Sequence, residues 1–310
     1  MTPSRAAAAL VLAAIAAGPV LAGCAQAPSQ PTSQALGSPG SARYGADPAA
    51  GKTFVHDRVS LYYETYGSGP PLLIIHGNGG SIGGMRAQID GFRDKYRVIV
   101  MDSRDHGRSG TAPGPLTFEA MADDLAALLD HERAAPAYVL GWSDGGIEAL
   151  LLAQRHPQKV RMIAVMAANL EPSSAAIHSI FISPSPSSAR VKAILEGGNE
   201  AAVRKFRTDQ LDRDQPHIAP RSLETIETPA LILAGDHDII RDEHTVEIFH
   251  HLPNSQLAIF PNATHMIPYD DPATFNATVD RFFSTPFVKR NRLMDVLKSL
   301  GKMVAETRAN

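Results

Sequence analysis

The sequence predicts an α/β fold built on a mostly parallel, doubly wound sheet, and three observations carry that prediction. Short apolar runs that read as strands recur at 71–75, 96–101, 137–140, 160–166, 229–235 and 256–260. Stretches with helical periodicity stand between most of them, at the lengths a crossover connection needs. The run at 137–140 stops at Gly141-Trp142-Ser143-Asp144-Gly145, a glycine-flanked serine that leads straight into helical periodicity. With 310 residues, the chain suits one large domain better than two small ones. A formal net charge of −3 gives no reason to expect a nucleic-acid partner.

The first 50 residues stand apart. Residues 1–23 read as an export signal, with Arg5 in a positive n-region, an alanine-dominated apolar stretch over 6–21 broken by Gly18-Pro19, and small residues after it. A spanning helix would need roughly 20 strongly apolar residues. Leu21-Ala22-Gly23-Cys24 resembles the bacterial lipobox, which implies that Cys24 is lipidated and becomes the mature N-terminus. Cys24 is the only cysteine in the chain, so it has no partner there for a disulfide, and a role as lipid acceptor accounts for it. The expected location is the bacterial cell envelope, anchored to a membrane, with Ala25 after the cysteine favouring the outer one. Residues 24–50, rich in Pro, Ser, Gly, Ala and Gln, read as a flexible tether, and 51–284 as the folded domain.

Within the domain, alternating and aromatic residues over 53–66 predict two antiparallel edge strands, closed by Gly67-Ser68-Gly69-Pro70. The continuous apolar run 71–75 suits an inner strand. It ends in His76-Gly77-Asn78-Gly79-Gly80, which lacks the glycine spacings of phosphate-binding loops. Beside a nucleophilic serine, this loop reads as the donor of an oxyanion-binding amide from Asn78, with His76 structural. A short helix is expected over 84–92. Another, over 117–133, is capped by Thr117, buries Met121, Leu125, Leu128 and Leu129, and cannot continue past Pro136. The helix after Ser143 is expected over 147–156. Between 171 and 222 periodicity weakens, apart from one helix-like piece at 189–206, and the segment is too long for an ordinary connection. It reads as a lid over the active site. After the strand at 229–235 come Asp236-His237-Asp238, a helix over 243–251 whose terminal His250 and His251 favour its dipole, the last strand, and His265. No second cluster with ligand spacing accompanies His237, so neither metal nor cofactor is expected. Residues 285–310 form an amphipathic helix with Leu293, Leu297, Leu300 and Val304 in one stripe, and six basic against two acidic residues from 287 onward. It is expected to dock on the domain, with anionic headgroups as the alternative.

Several motifs resemble the α/β-hydrolase superfamily, over about 53–283. Gly-x-Ser-x-Gly between strand and helix resembles its nucleophile elbow. Asp102-Ser103-Arg104-Asp105-His106-Gly107-Arg108-Ser109 resembles its Asp-x-Arg-Gly-His-Gly-x-Ser loop, with Asp105 where the pattern has glycine, which predicts left-handed strain there. The order Ser143, Asp238, His265 is the family's serine–acid–histidine order, and its Gly-x-x-Asp pattern selects Asp238, leaving Asp236 as a turn former. The resemblance implies that Ser143 is the nucleophile, His265 the base and Asp238 its orienting acid. The amides of Asn78 and Asp144 would then form the oxyanion hole, and an ester or lactone would be cleaved through an acyl-enzyme. The elbow Gly-Trp-Ser-Asp-Gly-Gly-Ile looks most like the biphenyl-hydrolase-like and enol-lactonase-like branches. There an Asp after the nucleophile, here Asp144, can meet a cationic group on the substrate; the plainer role is to favour the helix N-terminus. The alternatives are a C–C bond hydrolase on the same scaffold and a non-catalytic lipid-anchored envelope protein.

Overall fold

The computed structural model describes residues 43–289 and 292–309. The signal-like segment, Cys24 and the first part of the tether lie outside the described residues. No helix among the described residues is long and apolar enough to cross a membrane.

One sheet holds β1 (Gly51–His56), β2 (Val59–Tyr66), β3 (Pro71–Ile75), β4 (Arg97–Met101), β5 (Ala137–Trp142), β6 (Val160–Met166), β7 (Ala230–His237) and β8 (Ser255–Thr264). Their spatial order is β1-β2-β4-β3-β5-β6-β7-β8. The pairs β1–β2 and β2–β4 are antiparallel and every other pair is parallel. The helices are α1 (Arg86–Phe92), α2 (Phe118–His131), α3 (Asp144–Arg155), α4 (Ser188–Gly197), α5 (Glu200–Asp214), α6 (Asp242–His251), α7 (Ile267–Asp270), α8 (Pro272–Ser284) and α9 (Arg292–Ala309). This is the predicted doubly wound architecture. Side chains alternate across the sheet, so Leu73 and Ile75 of β3 join the apolar layer of α2, α3 and α6, while Leu72 and Ile74 join that of α1 and α8. An inner strand therefore has to be apolar at every position.

Two expectations need correction. The tether does not reach residue 50: Tyr44 is buried edge-on against Tyr66, with ring centroids 4.9 Å apart. The amides of Gly45 and Asp47 donate to the Glu64 carboxylate at 2.8 and 3.0 Å. Glu64 is fully buried, so it requires such donors, and the Tyr62 and Tyr66 hydroxyls supply two more. The single helix-like piece at 189–206 is in fact two helices. Gly198 ends α4, and the Asn199 side chain accepts from the Ala202 amide at 2.9 Å to cap α5, which then runs on to Asp214. The chain also enters α3 directly at Asp144, three residues earlier than the apolar periodicity indicates, and β8 extends to the residue before His265.

The segment 171–222 contains α4 and α5, and these are held very differently. From α5, Arg207 Nε donates to Asp105 Oδ2 at 2.8 Å and Arg204 Nη2 to the Ser109 carbonyl at 2.7 Å. Just beyond its end, Gln215 Nε2 reaches the Leu116 carbonyl at 3.1 Å. Asp105 has the left-handed φ expected of it, 64°. α4 buries none of its residues.

Candidate active site

The chain leaves β3 for β4 on one side and returns to β5 on the other, so connections diverge at the carboxyl ends of β3 and β5. A doubly wound sheet opens its binding crevice at such a point. The two segments that emerge there are the 76–80 loop and Ser143.

Ser143 has φ 58° and ψ −122°, a conformation outside the regions a side chain ordinarily permits. Strain of this kind costs about 1–3 kcal/mol and persists only where the surroundings enforce it. Here they do. The Ser143 amide donates to the Met166 carbonyl at 2.8 Å. A Cβ on Gly141 would meet the Gly145 carbonyl oxygen at 2.0 Å, and one on Gly145 would meet that of Ile75 at 2.4 Å, so strand and helix approach at contact distance only because both are glycine. The hydroxyl is thereby lifted off the sheet, at the N-terminus of α3.

The structure brings Ser143, His265 and Asp238 into one hydrogen-bonded chain. His265 Nε2 lies 3.1 Å from Ser143 Oγ, and His265 Nδ1 lies 2.7 Å from Asp238 Oδ1. Asp238 also accepts from the Ile240 and Gly235 amides at 3.0 and 3.4 Å, which fixes the carboxylate at the end of β7. The turn that carries His265 is held by the Trp142 indole, which donates to the His265 carbonyl at 2.9 Å. It is held again by Asp236, which accepts from the Asn262 and Ala263 amides at 2.9 and 3.0 Å. Asp236 is thus a staple between β7 and the last residues of β8, and the His237 imidazole together with these amides lowers its carboxyl to about 2.

The Asn78 loop runs against Ser143: a methyl on Gly77 would sit 2.9 Å from the serine Cβ. The Asn78 side chain donates to the Thr208 carbonyl of α5 at 3.0 Å. His76 is buried, with Nδ1 2.8 Å from the Gly77 carbonyl oxygen while Nε2 accepts from the Ser103 amide at 3.1 Å. Desolvation lowers its pKa to about 4, so the ring is a neutral strut for this loop.

Asp144 and Asp212 give the site its electrostatic character. Asp144 is buried, and its Oδ2 has no hydrogen-bond partner. Burial pushes its carboxyl well above the usual range, and the neighbouring Asp212 and Glu148 add to the shift; the Asn78 carboxamide opposes it. Asp212 stands in the same cleft but is reached by solvent, and burial among protein atoms raises it too. The cleft, about 100 Å³, is lined by Ser143, Asp144, Asn169, Phe181, Asp212 and Arg213 among others. Through Ser183 and Arg213 it adjoins a groove of about 690 Å³ between the 183–187 strap and the two helices α4 and α5. Among the described residues no group of three or more His, Cys, Asp or Glu is arranged to hold a metal ion. Asp212 is the site residue that sequence reading missed. Thr208 and Leu211 are the buried residues of α5, and Asp212 lies beside them, so its place on the helix was masked by the charge around it.

Residues 70–189 match a family model described as the alpha/beta hydrolase fold. Over 108 residues the chain is 38% identical to the protein RutD of Azorhizobium caulinodans, a match covering 35% of this chain and 41% of that protein. Over 265 residues it is 27% identical to 3-oxoadipate enol-lactonase 2 of Acinetobacter baylyi, covering 74% of this chain and 94% of that one. Among solved structures, MGS-M2, an alpha/beta hydrolase enzyme from a deep-sea metagenome library, superposes with a TM-score of 0.65 at 20% identity, covering 77% of this chain and all of that one. The chain has the α/β-hydrolase fold, and over residues 70–189 it matches the model of that family.

Proposed function

We infer that the protein is a serine hydrolase of carboxylic esters or lactones, acting through an acyl-enzyme on Ser143. The observation that carries this reading is the Ser143–His265–Asp238 chain at 3.1 and 2.7 Å. A serine hydroxyl is a poor nucleophile at neutral pH unless a base takes its proton as it attacks. With Nδ1–H directed at Asp238, His265 keeps Nε2 free to accept that proton. Ser143 Oγ then bonds to the carbonyl carbon, and the negative charge moves to the carbonyl oxygen. The amides of Asn78 and Asp144, with the α3 N-terminus behind the latter, are the donors for that oxyanion. Collapse of the tetrahedral adduct expels the alkoxide, which takes the proton back from His265, and water repeats the sequence to release the acid. The enol-lactonase relative supports the choice of ester-type bonds.

The pair Asp144 and Asp212 narrows the substrate. Two carboxyls share the cleft beside the nucleophile, one with an oxygen that lacks any partner, and a cationic group on the substrate would supply the missing counter-charge. The favoured substrate is thus an ester with an ammonium group near the scissile carbonyl. The segment 171–222 acts as the lid, with α5 as its fixed wall.

A fluorophosphonate probe should label the parent and leave Ser143→Ala unlabelled; labelling that persists in the variant would remove Ser143 from the mechanism. On paired substrates, p-nitrophenyl esters with and without an α-amino group, the parent should favour the amino ester. Asp144→Asn should lose about 10–100-fold of that preference. Equal preference in both proteins would leave Asp144 with its helix-terminus role. Turnover of a β-diketone ring-fission compound in preference to every ester would select the C–C hydrolase instead.

A further inference from the structure

The body of the fold releases the chain just before α9. Phe287 still packs against the apolar layer under α8, but Val288 is 61% exposed. Farther along, Val296, Leu297 and Leu300 are 56%, 51% and 47% exposed. At about 100° per residue these three share one side of the helix, with Met294 and Met303 at its borders. Lys298, Lys302 and Asp295 lie together on the opposite side. A lone helix is marginal in water, and an amphipathic one draws its stability from whatever covers its apolar side. Among the described residues no other strand or helix packs extensively on α9, and Val296, Leu297 and Leu300 keep about half of their surface open.

Charge selects what covers them. From residue 287 onward the chain carries a formal +4, which leaves −7 on the rest. Pairing two such tails would set +4 against +4, whereas an anionic bilayer satisfies both sides of the helix. We propose that α9 is a membrane-surface helix that lays Val296, Leu297 and Leu300 into the headgroup boundary of an anionic phospholipid bilayer, with Lys298 and Lys302 on its polar side drawn to the anionic headgroups. The helix lies in the plane of the surface. The acidic remainder of the molecule is repelled by the same surface, which leaves the tail as the contact.

The test uses the full chain carrying Cys24→Ser, so that no acyl group can be attached at that position. It measures flotation with vesicles of equal parts phosphatidylglycerol and phosphatidylcholine, and with phosphatidylcholine alone. Any contribution from residues 6–21 is common to all variants, so the differences report on α9. Binding should favour the anionic vesicles and weaken as salt is raised. Leu297→Glu/Leu300→Glu should reduce it about 100-fold, and Lys298→Gln/Lys302→Gln about five-fold per lysine. Melting temperature and sedimentation without lipid should stay unchanged in both variants. Equal flotation of the parent and both variants would overturn the proposal. So would a dimer in the parent that the leucine variant dissolves, which would assign the face to a second copy. A lower melting temperature of the leucine variant with unchanged flotation would assign it to the protein's own body.

Discussion

The carboxyl edge of the sheet and the segment 171–222 enclose the same cleft, yet they are held in place by different means. At the sheet edge, Ser143, Asp238 and His265 each follow directly on a strand; backbone amides and close glycine contacts set the first two, and the Trp142 indole and the Asp236 carboxylate hold the backbone that carries the third. In the segment, α5 is fixed by side chains, above all Arg207 on Asp105 and Arg204 on the 107–111 turn, and α4 is barely fixed at all. Backbone positioning leaves little freedom to the reacting groups. On the proposed function, side-chain positioning lets the wall that would face substrate change without disturbing them. A scaffold divided in this way can keep one chemistry and vary what it accepts.

The largest effect should come from changes that touch only the sheet edge. Asp238→Asn keeps the shape but lets His265 adopt the tautomer that points a proton at Ser143. The rate constant kcat on p-nitrophenyl acetate should then fall about 10⁴-fold with little change in melting temperature. A fall of less than ten-fold would mean that the carboxylate does not orient the ring. A smaller effect, read in stability, should come from the clamp. Arg207→Ala leaves the Asp105 carboxylate buried without its cation, and its Oδ1 already lacks a partner. The loss should be about 3 kcal/mol in denaturant unfolding, with KM raised more than kcat is lowered. Asp105→Gly added to it should recover most of the loss, because glycine accepts φ 64° freely and brings no charge. A double variant as unstable as Arg207→Ala alone would show that the ion pair is not what the clamp contributes.

The same contrast explains what could be read from the sequence. Strands β3 to β8, the elbow and the positions of Ser143, Asp238 and His265 were legible because burial on both faces and a forced turn leave marks on consecutive residues. Asp105 was legible as a departure, since left-handed φ at a non-glycine position is a local property. What that departure serves was not, because Arg207 lies 102 residues away. Asp212 was hidden for a related reason: on a charge-rich helix, only the position of α5 over the cleft separates it from its solvated neighbours. Tyr44 escaped because its partners, the Tyr66 ring, Asp90 and Arg93, lie far along the chain from it.

The smallest effect sharpens the comparison from within α3. Asp144 faces the cleft and shares its charge problem with Asp212 across the boundary, whereas Glu148, one turn on, is sealed inside the sheet-edge region. Its hydrogen bonds to Ser103 Oγ are long, 3.3 and 3.4 Å, and burial, with the Asp124 charge, pushes its carboxyl well above the usual range. The folded protein therefore keeps this proton after the unfolded chain, with an ordinary carboxyl, has released it. The stability tied to Glu148 is complete at acid pH and is lost as pH rises above the ordinary carboxylate range. His76 and His106 act oppositely: burial lowers both to about 4, so their contribution is complete above 6.5 and lost as pH falls from there toward 4. Glu148→Gln removes only the first of these dependences. Its melting temperature relative to the parent should be level near pH 4 and rise toward pH 8, by about 2–4 °C for each kcal/mol that the buried carboxyl costs. The acid limb set by the two histidines should be the same in both proteins. A parent–variant difference that does not change with pH would mean that Glu148 is ionised in the fold, and that the sheet edge, like the segment above it, relies on a charge held by a side-chain partner.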